Sequence, residues 1–237
     1  MPFWRVSPRR RVPPMPLSSA EARAALLVVS SDGVTDVEAL LRSVSGSPES
    51  MRSDLLDGVP GVIDYYTLGS SALAADYYDD ERDAAGASKH FQSEPIVADR
   101  GEKVGRLIAW ASEPLFLPEP DKAEVALRLV PQVQREIARP FRDTITTNSK
   151  RDPSSIGWRR ISSGTGCKFC RMLSDKGAIF KESTVRFAAH GSCHCSAAPV
   201  FNGQDGPEAN VMQYVASRKR RSEKDRARLR EYLNANY

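Results

Sequence analysis

This chain of 237 residues is short of the side chains that most often carry catalysis, with three histidines and four cysteines. It also lacks any apolar run near the ~18–20 residues of a membrane span. The longest candidate, residues 20–30, is broken by Glu21 and Arg23, so no membrane association is expected. With so few histidines and no G-x-S-x-G elbow, a serine-hydrolase triad has little support. No P-loop is present, and no G-x-G-x-x-G follows a strand. Ser162-Ser163-Gly164-Thr165-Gly166 reads as a turn rather than a phosphate cradle. H-E-x-x-H is missing, and so is the zinc-deaminase pattern, since His90 begins His-Phe-Gln and Gly166 precedes the first cysteine. The expectation is a protein that is not an enzyme.

The charge is mildly basic, +4 with a pI near 8.9. Much of the excess sits near the two ends, at Arg9–Arg11 and at Arg218, Lys219, Arg220 and Arg221. Such clusters suit an acidic partner, nucleic acid or an acidic protein surface, although a solvated tail has the same composition. No aromatic residues are interleaved with Arg218–Arg221, so any DNA contact is expected to be non-specific and steeply salt dependent. Residues 1–17 hold Pro2, Pro8, Pro13, Pro14 and Pro16 with no apolar segment behind the arginines, and read as an extended arm rather than a signal peptide.

Helical periodicity dominates the next stretch. Ser18 and Glu21 have the spacing of a capping box, predicting a helix to about Ser30. Residues 35–45 repeat the pattern with Val37, Leu40, Leu41 and Val44 on one face. A third helix opens at Pro48, is expected to break at Gly58-Val59-Pro60-Gly61, and resumes over 62–85 with Ile63, Tyr66, Leu68, Leu73, Ala74, Tyr77 and Tyr78 inward. The tyrosine pairs Tyr65-Tyr66 and Tyr77-Tyr78 read as core. Residues 86–101 are polar and loop-like, and 102–112 form a short helix. Asp121 caps a long helix to about Asn148 with Val125, Leu129, Val133, Ile137, Phe141 and Ile145 on one face, and with kinks expected at Pro131 and Pro140. After Asp152-Pro153 the pattern turns mixed: strands at 158–161, 178–181 and 196–201, a short helix over 168–175 ending at Gly177, then helices near 207–217 and 221–235. The fold class is mainly α with a small α+β zinc-bound subdomain towards the C-terminus.

All four cysteines fall within the 29 residues from 167 to 195. Clustering of this kind, with no signal peptide, favours a metal over disulfides. Cys167-Lys-Phe-Cys170 is a C-x2-C knuckle, in which two thiolates at a tight turn grip one tetrahedral ion at about 2.3 Å each. His190-Gly-Ser-Cys193-His-Cys195 supplies the other half after 19 intervening residues. Cys167, Cys170 and His190 form the first three ligands, and either Cys193 or Cys195 the fourth. His194 would point away from both in an extended segment. Histidine suits zinc better than an iron–sulfur cluster. A redox pair would need a thioredoxin-like βαβ context, which the helical half does not supply. A saturated Cys/His set leaves no open position for water, so the zinc is read as structural.

Five segments then occur in order: Asp143-Thr-Ile-Thr-Thr-Asn148, Gly157-Trp-Arg-Arg-Ile161, Cys167-Lys-Phe-Cys-Arg-Met-Leu173, Gly177-Ala-Ile-Phe180 and Phe187-Ala-Ala-His-Gly-Ser-Cys-His-Cys195. With them the chain resembles the MuF-like minor capsid proteins of tailed phages, in the form common in actinobacterial phages. The similarity extends over about residues 55–235 and is most specific in the knuckle. It implies a virion protein of the capsid interior or portal-proximal region, present in host cytoplasm during assembly. It also implies contacts with portal and/or major capsid protein, oligomeric assembly in the head, and a metal set at Cys167, Cys170, His190, Cys193 and Cys195. The expected organisation is a flexible basic arm at 1–17, a helical domain at 18–152, a MuF-like zinc-knuckle subdomain at 153–206 and a basic helical tail at 207–237. The rival reading is a zinc-containing DNA-binding or nucleic-acid-processing protein.

Overall fold

The computed structural model describes residues 16–162, 166–175, 180, 195–201 and 222–236. Expectations for a strand over 178–181, apart from Phe180, and for a helix over 207–217 lie outside the described residues. Four helices make the body: α1 (Ser19–Ser43), α2 (Pro48–Ala84), α3 (Gly101–Ala111) and α4 (Lys122–Arg151), with a 3-10 turn at Glu113–Phe116. Strands β1 (Ser155–Ile161) and β2 (Ser196–Phe201) pair antiparallel, α5 (Lys168–Asp175) follows β1, and α6 (Glu223–Asn236) comes last. The chain is mainly helical, as its periodicity predicts.

Helix starts follow the caps in the sequence. The Ser18 side chain accepts from Glu21 N–H while the Glu21 carboxylate accepts from Ser18 N–H, closing the capping box. Ser47 caps α2 ahead of Pro48, and Asp121 caps α4 by accepting from Glu124 N–H at 2.9 Å. All six predicted inward residues of α4, from Val125 to Ile145, are fully buried.

Two predicted breaks are absent. The first two expected helices are one, because Gly33 lies where α1 crosses its neighbours. A Cβ there would collide with the side chains of Ile137 and Tyr66, so the glycine serves close approach rather than a stop. Thr35 Oγ1 donates back to Ser31 O at 3.0 Å, which a helix interior tolerates. The second break, at 58–61, is overridden in the same way. Gly58 admits Leu40, whose Cδ2 would stand 2.7 Å from an added Cβ, while Leu55, Val59 and Ile63 stay buried on one continuous face. Pro60 forfeits one ladder bond, and burial on both sides of it offsets that cost. A third expectation fails on the outer face of α2: Tyr65 and Leu68 are 72% and 62% exposed, whereas Tyr77 and Tyr78 are core.

The core has two parts strung along α4. One joins Val37, Leu41, Leu55, Val59, Ile108, Leu129 and Val133; the other joins Leu26, Tyr77, Tyr78, Phe141 and Ile145 to Trp158, Phe180, Ala198 and Phe201 of the sheet region. The sheet therefore shares its core with the helices. Its register is Ser155↔Phe201 through Ile161↔Ser196, with a bulge at Ser155/Gly157 where Gly157 takes φ 141°, a backbone angle that favours glycine. Phe180 bridges Trp158 by two backbone bonds and stacks on its ring at 4.5 Å.

Side chains of the 143–148 segment stitch the 87–100 loop to α4. Asn148 accepts from Glu94 N–H at 3.0 Å and donates to Glu94 O at 2.8 Å, while Thr144 Oγ1 accepts from Ile96 N–H at 2.9 Å. Both residues are fully buried, so these bonds satisfy loop backbone that would otherwise be stranded. Where α4 ends, the buried Asp152 carboxylate accepts from Arg82 Nε at 2.9 Å, Tyr78 Oη at 3.3 Å and Ser154 N–H at 2.8 Å. Arg82 also donates to Lys89 O. Replacing Asp152 with alanine strands a buried guanidinium and should lower unfolding free energy by about 3–5 kcal/mol in denaturant titration. The Arg82→Met, Asp152→Ala double variant should lose clearly less than the sum of its singles; strict additivity would show that the pair is not coupled.

Candidate metal centre

Cys167 immediately precedes α5 and its sulfur does there what a serine oxygen does at an N-cap: it accepts the Cys170 N–H at 3.4 Å. Cys167 O accepts from Arg171 N–H at 3.0 Å, closing the first helical turn. The C-x2-C spacing thus becomes a knuckle with one sulfur exposed and the other buried, Cys170 being 2% exposed. A backbone donor at sulfur and the positive end of a helix both suit the thiolate that a metal requires.

Two buried arginines complete the surroundings. Arg160, 3% exposed on β1, places Nη1 3.8 Å from Cys170 Sγ. Its own carbonyl accepts from Ser174 Oγ, which in turn accepts from Ser162 N–H, so α5 is tied to the end of β1 at both faces of one hydroxyl. Arg142, 2% exposed on α4, donates Nε to Cys195 O at 2.8 Å. Cys195 is itself 2% exposed and directly precedes β2. Because Ile161 pairs with Ser196, the sheet brings the start of β2 beside the end of β1, from which the chain runs on to Cys167.

The structure therefore brings Cys167 and Cys170 together and sets Cys195 at the same end of the sheet. His190, Cys193 and His194 lie outside the described residues, as do Arg218, Lys219, Arg220 and Arg221. Among the described residues no three His, Cys, Asp or Glu side chains gather as a metal set. The two-cysteine half fits zinc by donor chemistry and by its N–H···S bond; bound there, the ion would tie residues 167–170 to the 190–195 segment. Sequence reasoning missed Arg142 and Arg160. The signal was available for Arg160, which shares the inward face of β1 with Trp158 two residues before it. A further link was not foreseen either: Lys168 Nζ donates to Asn234 Oδ1 at 2.8 Å, fastening α6 to the knuckle helix.

Comparison with known families gives a match of the VG15 protein family over residues 18–218. This chain belongs to the VG15 family. It is a phage protein. The match runs from the first helix cap through the knuckle and both strands, so the helices and the sheet all lie within the matched region. Comparison with curated proteins and with solved structures finds no match. No described helix is long and apolar enough to cross a membrane.

A second ionisable group in this VG15 protein borders a cavity of about 250 Å³ between α2, α3 and α4. Buried Glu136 receives Arg100 Nε at 2.6 Å, with Lys103 and Arg135 at 3.3 Å. Burial opposes its ionisation, but the bond and charge of Arg100, with Lys103 and Arg139, outweigh it and hold its pKa below the usual range. Two turns later Asp143 accepts no side-chain bond among the described residues, and burial pushes its carboxyl up, only partly countered by Arg139, Arg100 and Arg142.

These opposite shifts give opposite pH effects. Glu136 contributes stability above the ordinary glutamate range, lost as pH falls through its lowered pKa. Asp143 costs stability above its raised pKa, and that cost disappears as pH falls below the ordinary aspartate range. At pH 7, Glu136→Gln should lower the melting temperature and Asp143→Asn should raise it; the same sign for both would refute the assignment. For the knuckle, purified protein should carry about one zinc per chain, and Cys167→Ser with Cys170→Ser should abolish it. Unchanged metal content in the double variant would rule the site out. Single changes at Cys193 and Cys195 identify the fourth ligand, as the one whose loss releases zinc.

Proposed function

We propose that this VG15 protein is a non-enzymatic, MuF-like minor head protein of a tailed phage. In this reading it associates with portal or inner capsid in the virion and carries a structural zinc on Cys167, Cys170, His190 and one of Cys193 and Cys195. The observation that carries the reading is the structural character of the knuckle. Cys167 caps a helix, Cys170 is buried beneath Arg160, and α5 is bonded on one side to β1 and on the other to α6. A metal at such a place stiffens a junction. Asp175, the carboxylate nearest the knuckle in sequence, is exposed at the far end of α5, away from the position a general base would need. Zinc would supply folding free energy to a small segment that has little core of its own.

The basic cluster Arg218–Arg221 adds a non-specific contact with packaged DNA to the proposal. Mass spectrometry of purified virions and procapsids should find this chain at low copy number, cross-linked to portal or major capsid protein. Its absence from both particles would overturn the head assignment. DNA binding by the purified chain should weaken steeply with salt, and replacing Arg218–Arg221 by alanine should flatten that slope. Tight, sequence-selective binding that survives high salt would instead favour a zinc-containing nucleic-acid-processing or DNA-binding protein.

A further inference from the structure

The acidic residues of this chain are segregated. Residues 19–84, which make α1 and α2, hold thirteen Asp and Glu against four Lys and Arg. The whole chain has 34 Lys and Arg against 30 Asp and Glu, so everything outside those two helices holds 30 against 17. A helical hairpin with nine net negative charges thus belongs to a molecule whose remainder carries thirteen net positive ones.

The outer face of α2 adds an apolar centre to that field. Residues 54, 57, 61, 65, 68, 72 and 76 fall on one side of the helix at its 3.6-residue period, and all seven are exposed. Tyr65 and Leu68 stand in the middle, with Gly61 and Ala72 beside them. Asp54 and Asp57 lie at one end, Asp76 at the other and Asp64 on the rim. No basic residue interrupts it. Tyr65 is braced, not loose: its ring meets Tyr66 edge-on at 5.1 Å, and Tyr66 Oη donates to Asp36 at 2.7 Å. An exposed apolar pair set in a ring of one charge sign is the form of a protein-docking surface, not of a solvated helix face.

Its complement is in the same chain. α6 carries Arg228 and Arg230 exposed and Tyr232 half-exposed, and the basic run Arg218–Arg221 precedes it in sequence. α6 packs on α5 through Lys168 and Asn234, which fixes it at the knuckle and leaves Arg228 and Arg230 exposed, Arg230 in a surface ion pair with Glu223 at 2.8 Å. We propose that the Tyr65/Leu68 face of α2 docks the arginine-bearing C-terminal segment of a second copy of this chain. The contact is heterologous, acidic face to basic segment, so a pair of copies still has one unused half of each kind, and association continues head to tail into a ring or short chain. Apolar burial at Tyr65 and Leu68 supplies the affinity, and the segregated charges set orientation and encounter rate.

The test uses the purified full chain and is independent of where the protein resides. Sedimentation at about 50 mM salt should show mass rising above one chain as concentration increases, and about 500 mM salt should reverse it. Tyr65→Lys with Leu68→Lys, and separately Arg228→Glu with Arg230→Glu, should each weaken self-association at least about tenfold while leaving the melting temperature unchanged, since all four side chains are solvent-facing. Mixing the two variants is decisive. Each retains the half the other lacks, so together they should form a one-to-one dimer that neither forms alone. A single-chain mass at all concentrations up to about 100 µM in low salt, association undiminished in both variants, or no dimer in the mixture would each overturn the proposal.

Discussion

The carboxylate of Asp152 is buried where α2, α4 and β1 meet, and the placement of the sheet against the helices depends on it. One oxygen takes Arg82 and Tyr78 from α2; the other takes Ser154 N–H at the entry to β1. A single anion thus ends one helix, holds another against it and turns the chain into the sheet. Arg82 extends the connection by donating to the carbonyls of Ala87 and Lys89, which fixes the exit from α2 as well. Removing the charge would leave Arg82 buried without its counter-ion, a far larger penalty than the loss of one exposed ion pair. The knuckle inherits this placement. β1 leaves Asp152 at a set angle, Arg160 on β1 reaches Cys170, and pairing of Ile161 with Ser196 positions Cys195.

Local chemistry made much of this legible in the sequence. Ser18 with Glu21, Ser47 with Pro48, and Asp121 each announce a helix start because the groups that satisfy a first turn lie within three residues of it. The α4 face was readable because six apolar residues at helical spacing have one economical solution, burial. Gly33 and Gly58 misled for the opposite reason. Their meaning is set by Ile137, Tyr66 and Leu40, and the first of these lies more than a hundred positions away. Tyr65 and Leu68 fit the helical period as well as Tyr77 and Tyr78 do, yet periodicity cannot say how many neighbours a helix has. α2 is covered by α1, α3 and α4 on its other sides and by none of them here.

The cysteines themselves could be found from spacing, but the environment that makes them suitable ligands could not. Arg142 lies 53 residues from the Cys195 carbonyl it contacts. Packing is what joins segments so far apart in sequence: α4 shares a core with Trp158, Ala198 and Phe201, and all of them lie within the VG15 match. In that light the 143–148 segment is a clamp rather than a site. Thr144 and Asn148 hold loop backbone, Ile145 packs in the core, and Asp143 alone faces the cavity.

Charge segregation follows from none of these folding constraints. Nine net negative charges on one hairpin repel one another and tend to loosen α1 against α2. The hairpin stays closed because Leu26, Val37, Leu41, Leu55, Val59 and Ile63 are buried between its helices and α4. Capping accounts for Glu21, and Asp36 secures Tyr66, but among the described residues Asp54, Asp57, Asp64 and Asp76 make no hydrogen bond or ion pair through their side chains and cap no helix. Folding alone would be served as well or better by lysine or glutamine at those four positions, both stronger helix formers than aspartate. What the four share is the border around Tyr65 and Leu68. An apolar pair left bare on an uncharged helix would recruit any apolar surface, whereas a ring of carboxylates admits a basic surface and repels an acidic one. On that ground the aspartates belong with the apolar pair as one recognition surface, in which the tyrosine and leucine set how tightly a partner is held and the carboxylates set which partner it is.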